Sequence, residues 1–327
     1  MQKKNVLFIN GIPDNKTVEL NTMRKNGTFI WDSAGSANIS PFLQNELFRR
    51  HVITFDTNPE QDIELNNIHA VFNEISDPDT HRITLGKAEN FHKSIAGKVP
   101  FYNTATNIMK TTRDNIYQLL QDIDKLHVPK TVRIQPRSSS DIYDAIEKEN
   151  FDFPIIFRQA GDHGGISTLR IDNNSEQFYA FPLDGRDYYL TQFVDYANKD
   201  GIYTKYRLII VDGEVFIRHA IFSNEWAIHG DSRKSIKNHK RFEDDILKSF
   251  DRKIKPKIRS AINEIYNKMG LDYFGIDCHI DEQFNIVVFE INSSMNVISD
   301  DSDNTRLQKI KIKFIKNALV KMIGTHI

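Results

Sequence analysis

The chain has almost no cysteine, no excess of one charge and no long apolar run. Cys278 is the only cysteine among 327 residues, so an intrachain disulfide cannot form, which fits a reducing compartment. Lys and Arg together number 43 and Asp and Glu 44, giving a formal net charge of -1. This balance gives no electrostatic reason to expect binding to nucleic acid or to an anionic membrane.

The sequence also predicts neither a membrane-spanning segment nor a secretory signal. The N-terminal apolar run covers only residues 6–9, shorter than the roughly 7 to 15 residues of a signal-peptide core. No other run approaches the length of a transmembrane helix. We therefore expect a soluble cytoplasmic protein. Its 327 residues are enough for two or three domains with substantial cores. The GxGxxG pattern is absent as well, so a dinucleotide-binding fold is not indicated.

The first third of the chain alternates between strand and helix patterns. Ser40 is a suitable N-cap and Pro41 a suitable first residue for a helix over 40–50. Residues 26–40 have no helical period and are interpreted as a loop. The predicted strands are residues 5–10, 51–57 and 68–75. This alternation predicts a small parallel α/β layer.

The rest of the chain predicts mixed elements, with a hairpin whose Asp212-Gly213 turn is the strongest short-range hairpin signal present. A glycine-rich loop, residues 161–165, lies between two strands, and Gly270 ends a helix. The predicted helices are residues 111–126, 138–150, 254–270 and 306–323. The predicted strands are residues 128–134, 151–160, 166–171 and 188–195, with the hairpin over 204–222.

Polar residues recur within a second hairpin that is otherwise rich in Ile, Val and Phe. By strand alternation Asp277 and His279 share one face of its first strand, and Glu290 and Asn292 share one face of its second. We expect Asp277 to lie opposite Glu290, where two carboxylates would repel each other unless a cation lies between them. Carboxylate and amide oxygens are the ligands that Mg²⁺ takes beside phosphates. A solvated outer face of an edge hairpin is the alternative.

The stretch FGIDCHIDEQFNIVVFEINSS resembles the magnesium-binding hairpin of the ATP-grasp superfamily. That superfamily includes D-alanine–D-alanine ligases, glutathione synthetases and the ribosomal-protein glutamate ligase. Three further stretches resemble family segments in the family's order: TTRDNIYQLLQ, FPIIFRQAGDHGGIST and YYLTQFVD. The resemblance covers roughly residues 110–300. It implies two Mg²⁺ ions, or Mn²⁺, bridging ATP phosphates on Asp277, Glu290 and Asn292.

The resemblance also implies where ATP binds. Backbone groups of the YYLTQFVD segment would contact adenine, and the glycine-rich loop would cover the phosphates. Successive backbone N–H groups of such a turn can bind an anion. The implied ATP-binding residues are Arg113, Arg158, Gly161, His163, Gly164, Gly165, Ser167, Gln192, Phe193, Val194 and Asp195. The sequence departs from the family in three places, because Arg158 and Asn115 stand where Lys is usual and Gln192 replaces a commonly acidic residue.

The implied fold is an ATP-grasp fold of the α/β (α+β) class in three parts. These are an N-terminal parallel α/β domain over 1–108, a central lid subdomain over 109–192, and a C-terminal antiparallel-sheet subdomain with the metal site over 193–327. The implied activity is an ATP-dependent carboxylate–amine ligase acting through an acyl phosphate. Alternatives are a small-molecule kinase on the same scaffold, a nucleotide-binding pseudoenzyme, and an α/β protein without an ATP site.

The substrates implied are a small-molecule or peptide carboxylate and an amine, and the sequence leaves a homodimer open. Asn73 and Glu74 lie at the C-terminal end of a predicted strand of the N-terminal layer. Ligands of open α/β sheets often bind at this end of the strands. His229 and Arg233 follow the first hairpin and could line the same cavity, or belong to a solvated loop.

Two arginines of the first hairpin complete the set of candidate catalytic residues. Counted outward from the Asp212-Gly213 turn, Arg207 and Arg218 should lie opposite each other on one face. Like charges directly opposed are destabilising unless something anionic lies near them. In the ATP-grasp family an Arg on this hairpin contacts the reacting carboxylate or acyl phosphate, so the resemblance implies that role here. The alternative is that each arginine reaches a surface acid.

Overall fold

The computed structural model describes most of the chain between Lys3 and Thr325. The described residues are 3–23, 25, 27, 29–32, 35–43, 48–58, 67–162, 165, 167–174, 176–228, 236–237, 239–299 and 304–325. Within these ranges, no helix has the length and apolarity needed to cross a membrane.

The first third folds around a four-stranded parallel sheet. Its elements are β1 (Lys4–Gly11), β2 (Glu19–Met23), β3 (Phe29–Asp32), β4 (Phe48–Phe55), β5 (Ala70–Asn73), α1 (Arg82–Ile95) and β6 (Phe101–Tyr102). The sheet has the order β4-β1-β5-β6, and each neighbouring pair is parallel. Its two central strands are almost continuously apolar and buried, as expected for a sheet covered on both faces. The predicted parallel α/β layer is therefore confirmed.

Two local predictions in this region are wrong. Residues 26–40 are not all loop, because β3 pairs with β2 in a separate antiparallel ribbon. The helix predicted over 40–50 is a single 3₁₀ turn at Ser40–Phe42, which follows Ile39 rather than being capped by Ser40. Residues 44–47 lie outside the described residues, and Phe48 already pairs with Lys4 of β1. Parallel pairing with a buried strand thus overrides the local helix signal.

The central part of the chain forms an antiparallel sheet with its own core. Its elements are α2 (Ala105–Ile108), α3 (Arg113–Leu120), β7 (Leu126–His127), β8 (Thr131–Ile134), α4 (Ser139–Lys148), β9 (Ile155–Gln159), β10 (Leu169–Ile171) and β11 (Tyr188–Gln192). The sheet order is β10-β9-β11-β8. One face packs on α4, where Ile142 and Ile146 join Phe157, Tyr188 and Leu190 in one buried cluster. The opposite face is left for other contacts.

The last third is built on a five-stranded sheet. Its elements are β12 (Tyr203–Val211), β13 (Glu214–Ser223), α5 (His239–Ser249), α6 (Lys255–Met269), β14 (Tyr273–Ile280), β15 (Ile286–Ser293) and α7 (Arg306–Thr325). The predicted turn between β12 and β13 is confirmed, with φ of +50° at Asp212 and +76° at Gly213, the left-handed pair that such two-residue turns require. Gly270, at φ +66°, ends α6 as expected.

The buried side chains of residues 113–127 join the core of the last sheet, although α3 also contacts β8 of the central sheet. The sheet order is β13-β12-β14-β15-β7, so β7 adds a parallel strand beside β15. One buried cluster joins β1 and β5 of the N-terminal sheet to this sheet and α6. The N-terminal and C-terminal sheets therefore share a continuous core. The central sheet begins at Thr131 and lies beside both of them.

Candidate functional site

A cavity of about 320 Å³ lies between the central sheet and the C-terminal sheet. One part of its wall is apolar and aromatic and includes Val128, Phe193, Trp226 and Phe289. Another part is charged and brings together Arg113, Arg158, Lys205, Arg207, Asp277 and Glu290. The combination could bind a molecule with a flat apolar ring at one end and an anionic group at the other.

The predicted opposition of Asp277 and Glu290 is present in the strand register, and a β-bulge produces it. Counted outward from the turn, Cys278 pairs with Val288, but Asp277 pairs with Glu290. Phe289 is the extra residue of the bulge, so it and Glu290 both line the cavity instead of alternating. Cys278 is fully buried on the other face, as expected of a core residue, and burial raises the pKa of its thiol.

Asp277 is buried and neutralised by two cations from β12. Its Oδ1 and Oδ2 accept hydrogen bonds from Nε and Nη2 of Arg207 at 2.7 and 2.8 Å, a fork-to-carboxylate pair. Lys205 Nζ lies 3.3 Å from Oδ2 and also donates to the Ile228 carbonyl at 2.8 Å. Burial works against the charge on Arg207, but Asp277 outweighs it and raises the Arg207 pKa.

Glu290 is held in its ionised form by surrounding guanidinium groups. Burial works against its charge, but Arg113, Arg158 and Arg207 outweigh burial and lower its pKa to about 2. Arg113 Nη2 donates to Oε2 at 2.5 Å and its Nη1 to the Phe289 carbonyl at 2.7 Å. The remaining carboxylate oxygen, Oε1, accepts from Asn292 Nδ2 at 3.0 Å.

The side chains of Asp277, Glu290 and Asn292 fit a hard divalent cation. They offer only oxygen ligands once the Asn292 amide is turned. Each carboxylate oxygen also has lone pairs that the neighbouring arginine and lysine side chains do not use. Among the described residues, no group of three or more His, Cys, Asp or Glu side chains could hold a metal. A cation at this site would therefore need the amide or a phosphate oxygen beside the two carboxylates.

Arg158 carries a partly buried guanidinium that its described neighbours do not fully satisfy. Its Nη2 donates to the Asp162 carbonyl, but its buried Nε has no hydrogen-bond partner among the described residues. Burial and the nearby charge of Arg113 lower the pKa of Arg158 to about 10. A desolvated guanidinium with a spare donor is suited to an anionic ligand such as phosphate. Asn115, which also stands where Lys is usual in the family, instead donates to the Met109 carbonyl at 3.0 Å.

The glycine-rich loop follows β9 and contributes to two cavities. Gly165 and Thr168 line the large cavity, while Gly161 lines a smaller one of about 40 Å³ beside it. Ser167 lines neither cavity, and its hydroxyl donates to the Asp162 carboxylate. The predicted ligands His163 and Gly164 lie outside the described residues.

The end of β11 and the residues after it line the large cavity as expected, with one exception. Gln192, Phe193 and Val194 are all in its wall. The Gln192 side chain is bound to the backbone of residues 152–154, accepting from Asp152 N at 3.1 Å and donating to its carbonyl at 2.8 Å. Asp195 is exposed and absent from the wall, and its Oδ1 accepts from Ala197 N.

The predicted pairing of Arg207 with Arg218 is wrong. A second β-bulge, in β13, places Arg207 opposite His219 and leaves Arg218 as the extra residue. Arg218 is buried, and it donates from Nε to the Val297 carbonyl at 3.0 Å and from Nη2 to Asn304 Oδ1 at 3.2 Å. It lines neither cavity, whereas Arg207 lines the large one. The two arginines therefore have separate environments.

The candidate substrate residues of the N-terminal sheet are internal. Asn73 and Glu74 are both fully buried. Glu74 Oε1 accepts from Ser40 N at 2.7 Å, and burial raises its pKa to about 7. These contacts give Glu74 a role in fixing the turn at residues 39–40. His229 and Arg233 lie outside the described residues.

Several cavity residues were not predicted from the sequence. Lys205 is two residues before Arg207 on β12, so strand alternation could have placed it on the same face. Trp226 packs edge-on against Phe193 with ring centroids 5.7 Å apart, and Tyr196 lines the same wall. Both aromatic residues are in loops, where no sequence period indicates which way a side chain points.

Comparisons with known proteins agree with this geometry. The model of the RimK-like ATP-grasp domain family matches residues 112–317. The chain is similar in structure to the VanG D-Ala:D-Ser ligase from Enterococcus faecalis, with a TM-score of 0.55, 13% identity and 100% of both chains covered. It is also similar to the D-alanine–D-alanine ligase from Bacillus anthracis complexed with ATP, with a TM-score of 0.56, 12% identity and coverage of 100% of this chain and 97% of that one.

A third similar structure is the carboxyaminoimidazole ribonucleotide synthase from Aspergillus clavatus complexed with ATP. Its TM-score is 0.56 at 11% identity, covering 98% of this chain and 76% of that one. No curated protein matches the chain significantly by sequence. At these identities the structural matches establish the fold, and the predicted ATP-grasp fold is confirmed.

Proposed function

Because this chain belongs to the RimK-like ATP-grasp family, we propose that it is an ATP-dependent carboxylate–amine ligase. The observation that carries the proposal is the cavity between the two sheets, which joins an aromatic wall to a charged one. In the proposed complex adenine lies against Phe193, Val194 and Trp226. The triphosphate extends towards Arg113 and Arg158, whose charges and unsatisfied donor suit its oxygens.

Asp277, Glu290 and Asn292 would hold Mg²⁺, which supplies charge neutralisation on the phosphate oxygens when bound. Glu290 stays ionised throughout the physiological pH range because its pKa is lowered to about 2. Arg207 orients Asp277 through its two hydrogen bonds. Catalysis by these residues is mainly positioning and charge stabilisation.

The proposed reaction has two steps. A carboxylate oxygen of the first substrate attacks the γ-phosphorus of ATP, and the bond to the β-phosphate oxygen breaks to release ADP. The amine nitrogen of the second substrate then attacks the carbonyl carbon of the acyl phosphate. The carbon–oxygen bond to phosphate breaks, the nitrogen loses a proton, and an amide and inorganic phosphate are released.

The test is a screen of amino acids and small peptides, alone and in pairs, for phosphate release with Mg-ATP. Mass spectrometry should find a product equal to the two substrates less one water, together with ADP. Glu290→Gln should abolish the signal, while Glu147→Gln, an equal change at an exposed position of α4, should not. ADP with a phosphorylated substrate and no free phosphate would replace the proposal with a kinase.

A further inference from the structure

Arg133 on β8 joins three parts of the chain, although it lines neither cavity. Its Nη2 donates to Asp79 at 2.6 Å, its Nη1 to Asp187 at 3.0 Å, and its Nε lies 3.4 Å from Asp114. Asp79 belongs to the turn after β5, Asp114 to the first turn of α3, and Asp187 to the approach to β11. A planar fork with several donors is suited to such a junction, and a lysine could not replace it.

Tyr189 connects this junction to the phosphate end of the large cavity. In the strand register Tyr189 lies opposite Arg133 on one side and opposite Arg158 on the other. Directly opposed residues share a face, so Arg133, Tyr189 and Arg158 form one row across the central sheet. The Arg133 guanidinium lies 4.7 Å from the centre of the Tyr189 ring, which places it within cation–π range.

The row is attached to the N-terminal domain through Asp79. The Tyr189 hydroxyl donates to Asp79 Oδ2 at 2.8 Å, and Arg133 binds the same carboxylate. Burial, reinforced by Asp79, raises the Tyr189 pKa, so the hydroxyl stays protonated and remains a donor. One carboxylate of the N-terminal domain thus holds two side chains of the central sheet.

The same turn of the N-terminal domain contacts the glycine-rich loop. A Cβ added to Gly161 would lie 2.6 Å from Thr80 Cγ2, so only glycine permits this approach. Asp79 and Gly161 line the smaller cavity together with Arg158, Glu290 and Asn292. The position of the central sheet against this turn therefore sets where Arg158 and the start of the loop lie.

We propose that Arg133, with Asp79 and Tyr189, is a positioning cluster that holds the central sheet closed on the phosphate end of bound ATP. Asp114 extends the cluster to the metal site, because its neighbour Arg113 binds Glu290. The width of the cavity between the two sheets depends on this attachment. The inference rests on the proposed function, since it assigns the cluster a role in nucleotide binding.

The test compares Asp79→Asn and Tyr189→Phe with wild type, using Mg²⁺ and a non-hydrolysable ATP analogue. Each variant has a matched control in the central part of the chain. Asp184→Asn alters an exposed carboxylate bound to Arg186, and Tyr188→Phe removes a hydroxyl bound to the Pro182 carbonyl on the opposite face of β11. Hydrogen exchange of β9 and β11 amides is measured with and without nucleotide, together with analogue affinity and melting temperature.

In wild type and both controls, nucleotide should slow exchange in β9 and β11. In Asp79→Asn and Tyr189→Phe this protection should fall at least tenfold, with exchange in the absence of nucleotide close to that of the controls. Wild-type protection in both variants would overturn the inference and leave the proposed function standing. Equal acceleration with and without nucleotide would make the cluster merely structural and also overturn it. Failure of wild type to bind the analogue would overturn the proposed function, and the inference with it.

Discussion

Replacing Glu74 with Gln tests how much the charge on a buried carboxyl group lowers the free energy of unfolding. Glu74 is fully buried at the end of β5, and its pKa is raised from 4.5 to about 7 because burial disfavours the charged form. Its Oε2 has no hydrogen-bond partner among the described residues, whereas Oε1 accepts from Ser40 N. A neutral amide keeps the acceptor and removes the cost of the charge.

The size and sign of the effect follow from the pKa difference. Because the folded state holds a proton that the unfolded state has lost, the free energy of unfolding falls as the pH rises from about 4.5 to about 7. At about 1.4 kcal/mol per pH unit, the loss is about 3 kcal/mol and is complete above the folded pKa. Glu74→Gln should therefore match wild type near pH 4 and exceed it by about 3 kcal/mol at pH 8.

Urea unfolding followed by circular dichroism from pH 4 to pH 8 measures this difference. Glu147→Gln, at an exposed position of α4, provides the control and should show no such gain. A Glu74→Gln variant that is less stable than wild type at pH 8, or a difference that does not change with pH, would refute the argument from burial.

Three further outcomes are expected. Mg-ATP at about 100 times its dissociation constant should raise the free energy of unfolding by about 2.7 kcal/mol, and a thermal shift assay without response to millimolar Mg-ATP would contradict nucleotide binding. Arg207→Met should reduce turnover by about 10²-fold or more while ATP affinity falls less than tenfold, because the variant loses a charge positioned for the reaction. Unchanged steady-state kinetics would exclude a role for Arg207 in catalysis. Arg218→Met should lower the melting temperature through lost bonds to Val297 and Asn304, and an unchanged melting temperature would show those bonds to be unimportant.

The sequence by itself determined the features that depend on near neighbours in the chain. Asp212-Gly213 specified a tight hairpin because both residues tolerate positive φ, and Gly270 ended a helix for the same reason. The apolar runs of β1 and β5 specified buried strands of a parallel sheet. The acidic and amide residues of the β14–β15 hairpin identified the candidate metal site through their place in a family pattern.

Other features were decided only when distant parts of the chain packed together. The bulges at Phe289 and Arg218 changed which side chains face the cavity, and a bulge depends on the partner strand rather than on its own sequence. Glu74 became an internal residue because the turn at residues 39–40 covers it. Helix α1 was missed because only part of one face is apolar, and its burial depends on the sheet beneath it.

The positioning cluster is the clearest case of a site that the sequence could not reveal. Asp79, Asp114, Arg133 and Tyr189 are separated by up to 110 positions in the chain. Asp114 and Tyr189 lie in stretches that resemble family segments, but that resemblance gives neither of them a role, and Asp79 and Arg133 lie outside those stretches. Each is an ordinary charged or aromatic residue at its own position. Only the placement of the central sheet against the N-terminal turn and α3 brings them within hydrogen-bond distance, because ionic and hydrogen-bond contacts depend on three-dimensional separation and not on spacing along the chain.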